Sequence, residues 1–169
     1  VPAFVTRLGD ACFHGRAGGE EHDLSVKGSL NTDAGNAGIA FAMHDKHFSS
    51  NLKTDNLNLR TILDNTHFGS IAADLAVKGQ LGTDKISRMS VKGRVGRIDY
   101  NDYSYRNISI NGIYDGDRFN GDASIDDPNG KLAVSGMMAL HGKRLEAKLK
   151  ASARDIQTAA LKLSKRNIG

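Results

Sequence analysis

Histidines, acidic clusters and glycine runs are where a chain of 169 residues would carry its chemistry. Six histidines occur: His14, His22, His44, His47, His67 and His141. His44-Asp45-Lys46-His47 has an H-x-x-H spacing, which on a helix brings two imidazoles to one metal. Here Phe41 to Phe48 reads as two strands around a turn, so the pair is expected to be exposed turn residues. Asp122, Asp126, Asp127, Asn129 and Gly130 offer calcium-loop oxygens, but the EF-hand ligand pattern and its closing Glu are missing. A turn is expected there instead. Gly15-Arg16-Ala17-Gly18-Gly19 is glycine-rich but lacks the strand-to-helix context of a phosphate loop. No G-x-S-x-G, Walker or dinucleotide pattern is present, and nothing orders Ser, Asp and His into a triad. Cys12 beside Phe13 reads as a small hydrophobe. It is the only cysteine, which excludes an internal disulfide framework and any Cys-based zinc cluster. Tyr100, Tyr103, Tyr105 and Tyr114 fall within 15 residues. They form either an aromatic patch or a strand ladder, and the ladder is the expectation. No catalytic residue, metal or cofactor is expected, and the chain reads as a non-enzyme.

The elements that would position any site are strands. Period-two alternation runs through Leu24, Val26 and Leu30, then Ile39, Phe41 and Met43, then Phe48 and Leu52. It resumes at Ile71, Ala73, Leu75 and Val77, then Met89, Val91 and Val95, then Ile108 and Ile110. Phe119, Ala123 and Ile125 follow, then Leu132, Val134, Met138 and Leu140, and finally Leu145, Ala147 and Leu149. About a dozen amphipathic strands are expected, bounded by Gly, Asn and Asp. Asn111-Gly112, Asp115-Gly116-Asp117, Asn120-Gly121 and Asp127-Pro128-Asn129-Gly130 are read as turn signals, the last being the clearest hairpin.

A finer device recurs. Val26-Lys27-Gly28, Val77-Lys78-Gly79 and Val91-Lys92-Gly93 share a tripeptide, with Ile110-Asn111-Gly112 and Val134-Ser135-Gly136 as variants. Each glycine falls in phase with the apolar residues, where a sheet bends or another layer comes close. A longer similarity links His47–Leu63 with Arg144–Leu161 at an offset of about 97 residues. In each, a strand leads into a short helical stripe: Leu59, Ile62 and Leu63 after a cap at Asp55 or Asn56, and Ile156, Ala159, Ala160 and Leu163 after Asp155. One β-rich segment over 1–169 is expected, divisible into repeat units at about 1–70 and 71–169.

Charge excludes one class of partner. Residues 1–140 hold 15 Lys+Arg against 17 Asp+Glu, and residues 141–169 hold 8 against 2, so the net +4 belongs to the C-terminal part. A mixed body is not a nucleic-acid surface. The basic residues Lys143, Arg144, Lys148, Lys150, Arg154, Lys162, Lys165 and Arg166 form either a solvated face or a contact for anionic head groups. The chain begins Val1-Pro2 and ends on Arg166-Asn167-Ile168-Gly169, and both ends read as boundaries within a larger protein.

Phe13-His14-Gly15 and the run from Leu24 to Gly35 resemble the "F-x-G … G-x-L-x-T-D-x-G" stretch of TamB-type, AsmA-like envelope proteins of Gram-negative bacteria. Phe48–Leu63 is similar to their "F-x-(S/G)-x-L-x-T-x-x-L-x-L-x-x-L-L" segment. His67-Phe68-Gly69-Ser70-Ile71 resembles "x-L-G-x-I". Tyr100 to Tyr114 looks like the "Y-x-Y-x-N-I-x-I-x-G-x-Y" run of Bacteroidetes members, continued by Phe119-Asn120-Gly121 and Asp126 to Gly130. The resemblance implies a mainly β fold: a long curved antiparallel or mixed sheet folded into an open, taco-like β-groove, with one or two short helices. It implies a parent anchored in the inner membrane and crossing the periplasm of the cell envelope. The implied role is moving phospholipid acyl chains and supporting outer-membrane biogenesis, with an outer-membrane barrel as possible partner. No C-terminal strand set for docking on a barrel is recognisable.

The groove-lining set would be Leu24, Val26, Leu30, Ile39, Phe41, Leu52, Ile71, Leu75, Val77, Val91 and Val95. It continues with Ile108, Ile110, Phe119, Ile125, Leu132, Val134, Met138, Leu140, Leu145 and Leu149. A chaperone-like surface for outer-membrane β-proteins and a plain β-sandwich adhesion or scaffold domain are the alternatives, and the alternation by itself is compatible with a sandwich. An unclosed sheet would also leave edges through which the segment pairs as a dimer.

Overall fold

A computed structural model describes residues 7, 9–83, 85–141 and 144–157. Ten strands form one sheet in chain order, β1(Ala11–Glu20), β2(Asp23–Thr32), β3(Gly35–His44), β4(His47–Asn58), β5(Phe68–Leu81), β6(Ile86–Tyr100), β7(Tyr103–Asp115), β8(Arg118–Asp127), β9(Gly130–His141) and β10(Arg144–Arg154). Every neighbouring pair is antiparallel, and the sheet is curled and unclosed: an open β-groove. The meander follows from short turns between alternating runs. Pro128-Asn129 joins β8 to β9 as the sequence predicts, and Asp45-Lys46 joins β3 to β4, placing His44 opposite His47. Asn101 and Asp102, both at positive φ (50° and 61°), turn β6 into β7.

One strand is missed by the sequence reading and one expectation is corrected. The glycine-rich run Gly15–Gly19 is part of strand β1, which the alternation search misses because its glycines carry no apolar signal. Asn111-Gly112 and Asn120-Gly121 are not turns: they lie inside β7 and β8, and Gly112 pairs directly with Gly121. Between β4 and β5 stands a single helical turn, α1(Leu59–Leu63). Its cap is Asn58, whose side chain accepts from the Thr61 N–H at 3.3 Å, two to three residues beyond the expected caps. The second expected helix runs into 158–169, outside the described residues.

The sheet has no second layer among the described residues, and the core is correspondingly thin. Its buried apolar residues are Ala34, Ala37, Ala73, Val95 and Ala139, and no large side chain is fully buried. The sandwich arrangement that the alternation also allows is therefore not adopted.

Candidate functional site

Register decides which residues share a face, because side chains alternate across a strand. Leu24, Met43, Phe48, Gly79, Met89, Tyr114, Phe119, Met138 and Ala147 stand in one cross-strand row. Val26, Phe41, Ser50, Val77, Val91, Gly112, Gly121, Gly136 and Leu149 make the next. Gly28, Ile39, Leu52, Leu75, Gly93, Ile110, Ala123, Val134 and Ala151 make a third. Val95, Ile108, Ile125 and Leu132 form a fourth, with Ile71 opposite Ile98, Leu30 opposite Phe13 and Leu140 opposite Leu145. Every residue of the expected groove set thus falls on one face. The intervening positions, among them Lys27, Lys78, Lys92, Asn111 and Ser135, form the opposite, polar face. Most of the apolar row residues are half-buried; Leu145 (64% exposed) and Leu149 (55%) are least sheltered because β10 has a single sheet neighbour.

The recurring V-x-G device acquires a physical role in these rows. The Phe13 ring lies over the paired Gly15 and Gly28, where an added Cβ would come within 2.5 and 2.7 Å of its tip. The Phe119 ring covers the paired Gly112 and Gly121 in the same way, and Phe48 covers Gly79. Glycine thus removes side chains so that flat aromatic rings floor the trough, an aromatic rescue of otherwise bare strand glycines. At Gly93 and Gly136 the neighbouring strand's own backbone fills the space.

The trough deepens at one end into an apolar hollow of about 420 Å³, within the ~300–1,000 Å³ of small-ligand pockets. Ile108, Ile125, Leu132, Gly130 and Ile156 line one part of it; Phe68, Ile98, Tyr100 and Tyr105 line the rest. The last four are absent from the expected set. They are carried there by irregularities clustered at this end of the sheet. Register shifts fall at Thr54/Leu57, Phe68/Ile71 and Ala72/Ala73, the last leaving Gly96 as the extra residue of β6. Gly96 stands between the pairs Val95↔Ile108 and Arg97↔Arg106, as does Asn107, which has φ 54°. Such bulges bend strands and re-aim side chains, so the β6–β7 hairpin end turns as a unit. The alternation is broken at that point, which hides Ile98 and the tyrosines from a period-two search.

Two carboxylates hold this hairpin. Asp127, buried at the end of β8, accepts hydrogen bonds from the Tyr103 hydroxyl, the Arg106 N–H (3.0 Å) and the Asn129 N–H (3.0 Å). Asn129 also donates to the Tyr103 oxygen at 2.8 Å. Burial by itself pushes the Asp127 carboxyl up, but these hydrogen bonds outweigh it and leave the group below the ordinary carboxylate range. The Tyr103 phenol is pushed up, first by burial and then by its bond to Asp127; burial also raises Tyr105. Asp99 accepts from the Ser104 hydroxyl (2.6 Å) and the Ser70 N–H (3.3 Å) and pairs with Arg97 (3.4 Å). Tyr103 packs against Tyr105 on the same strand at 4.7 Å and Tyr100 against Phe68 at 4.9 Å between ring centres, whereas Tyr114 lies at the other end of β7 opposite Met89 and Phe119, so the four tyrosines do not form one ladder.

His44 hydrogen-bonds Asp23 and lies 3.5 Å from Asp45, so its imidazole is held above its ordinary value, chiefly by the Asp23 hydrogen bond. Among the described residues no group of three or more His, Cys, Asp and Glu is gathered in a way that would hold a metal. No helix among them is long and apolar enough to cross a membrane.

Fold and site together define the class: an open antiparallel β-groove with an apolar trough. No family model, curated protein or solved structure matches the chain.

Proposed function

We propose that the chain is a non-enzymatic groove segment that shelters phospholipid acyl chains. The observation that carries this is the trough itself: an unlayered sheet face of continuous apolar rows, ending in a hollow whose lining offers apolar side-chain surface. Alkyl chains gain ~0.8 kcal/mol per buried CH₂ and ask for no polar partner. A polypeptide laid on the same surface would bury N–H and C=O groups against a floor with no donors or acceptors to meet them. That difference favours lipid over the chaperone alternative. The family resemblance places such a segment in a periplasm-spanning, inner-membrane-anchored parent that carries lipid toward the outer membrane, with a barrel protein as a possible partner.

The test is site-specific photo-crosslinking with phospholipid. A photoreactive residue at Val77, Val91, Ile110 or Val134 is expected to capture lipid, and one at Lys78, Lys92, Asn111 or Ser135 is not. Equal labelling of both sets would remove the lined interior from consideration. Captured polypeptide in place of lipid would favour the chaperone role.

A further inference from the structure

The hollow differs from the rest of the trough in what surrounds it. It is built by β5 to β9, each with a sheet neighbour on both sides, together with Ile156 beyond β10. Ile98, Ile108, Ile125 and Leu132 make its aliphatic wall, and Tyr100 and Tyr105 stand in its aromatic wall.

The polar groups at this end are engaged with one another. The four cross-strand rows carry no charged side chain. Along β8 past Ile125, the first charge on the trough face is Asp127. That residue is 4% exposed, and its carboxylate accepts from Tyr103, Arg106 and Asn129. The Asn129 amide in turn donates to the Tyr103 oxygen. A phosphate brought here would meet a like charge whose surrounding donors are already in use, and would lose its water without replacement. A hydrocarbon chain meets only the apolar walls.

The same hydrogen bonds close the path. A chain lying along the strands reaches the hollow at Ile108 and Ile125. Beyond it stand the Tyr103–Asp127–Asn129 cluster and the β6–β7 turn at Asn101 and Asp102. An alkyl chain therefore ends in the hollow instead of passing through it. A cavity of ~150 Å³ holds one benzene ring, so 420 Å³ has room for roughly 17 carbons, one acyl chain and not two.

We propose that the hollow is a terminal seat for one acyl chain, entered methyl end first, with the head group left outside it. This rests on the acyl-chain reading of the trough and adds a direction to it.

The full chain contains no tryptophan, so a single one reports its own surroundings. Tyr105→Trp places it in the hollow, and Tyr114→Trp at the far end of β7, in the row of Met89 and Phe119. The two positions are separated by roughly 30 Å of strand. The probes are two lysophosphatidylglycerols below their micellar concentration. One carries bromine, an apolar contact quencher, at the methyl end of its chain, and the other carries it beside the ester. The methyl-end label is expected to quench Tyr105→Trp several-fold more than the ester-side label does, and several-fold more than it quenches Tyr114→Trp. Ester-side quenching of Tyr105→Trp that equals or exceeds methyl-end quenching would overturn the proposal and leave the acyl-chain reading standing. Quenching confined to Tyr114→Trp would do the same. Quenching of neither variant by either label would overturn both. The unsubstituted chain reads the same contrast if a tryptophan variant fails to fold, because Tyr100, Tyr103 and Tyr105, three of its four tyrosines, stand at the hollow.

Discussion

Single glycines in this sheet differ sharply in what they tolerate, because what lies above each one differs. Gly93 sits under the Asp74 carbonyl and the Leu75 Cα, backbone that cannot swing aside. Gly93→Ala is expected to cost about 1–3 kcal/mol, the range of overpacking. The three atoms nearest a Cβ at Gly112 all belong to the ring of Phe119, which can rotate into the open trough. Gly112→Ala should cost about 1 kcal/mol, and that cost should vanish in a Phe119→Ala background, since coupled neighbours are non-additive. Gly18 has nothing within 4 Å, so Gly18→Ala should be neutral or stabilise by about 0.4–1 kcal/mol through the unfolded chain. Urea midpoints of the three variants and of the double mutant decide the matter. Equal costs at Gly18 and Gly93 would refute the rings and backbone as the reason for these glycines. The phase of the glycines is visible in the V-x-G tripeptides. What covers them is not, because Phe48 and Gly79 are distant in sequence and meet only through the β4–β5 register.

At the scale of elements, the β6–β7 hairpin is held by Asp99 within it and by Asp127 at the end of a third strand. Removing the Asp127 acceptor by Asp127→Ala is expected to cost about 1.5–3 kcal/mol, the worth of hydrogen bonds to a charged group. Because its pKa is lowered in the folded chain, ionised Asp127 stabilises the fold. That contribution is fully present above its ordinary value of 3.8 and is lost as pH falls through the lower folded value. Acid unfolding of Asp127→Asn should therefore be shallower than that of the unsubstituted chain, with the difference confined to this acidic window. Superimposable acid curves would mean that the staple contributes no linkage. His44 has the opposite sign: its pKa is raised, so any contribution is present below its ordinary 6.5 and fades as pH rises through the folded value. Nine of the ten strands are legible as alternating runs, and so is the Pro128-Asn129 hairpin. The hollow is only half legible. Ile108, Ile125 and Leu132 follow the period, whereas Phe68, Ile98, Tyr100 and Tyr105 reach it through bulges that reset the period locally. Asp127 reads as a turn former in sequence, and its long-range partners Tyr103 and Arg106 appear only when β8 is laid beside β7.

For the molecule as a whole, the decisive feature is an apolar face over which the described residues form no second layer. Alternation fixes which residues share that face, but whether two faces meet or one stays open depends on curvature, and curvature resides in bulges and glycines that carry no hydrophobic signal. An open trough also makes stability answer to ligand. Anything that occupies it only in the folded state adds RT ln(1 + [L]/Kd), about 2.7 kcal/mol at a hundredfold excess over Kd. For a chain of this size that corresponds to a rise of roughly 5–10 °C in Tm. A single-chain lysophospholipid below its micellar concentration is expected to produce such a rise, while its free water-soluble head group produces none. Val91→Lys places a charge in the middle of the apolar row shared by Val77 and Gly112, and should abolish the response while leaving the strand content unchanged by circular dichroism. Lys92→Val alters only the polar face and should leave the response intact. If the head group alone raises Tm as far as the lysophospholipid does, or if Val91→Lys responds as fully as Lys92→Val, stabilisation comes from somewhere other than the trough and the acyl-chain role fails with it.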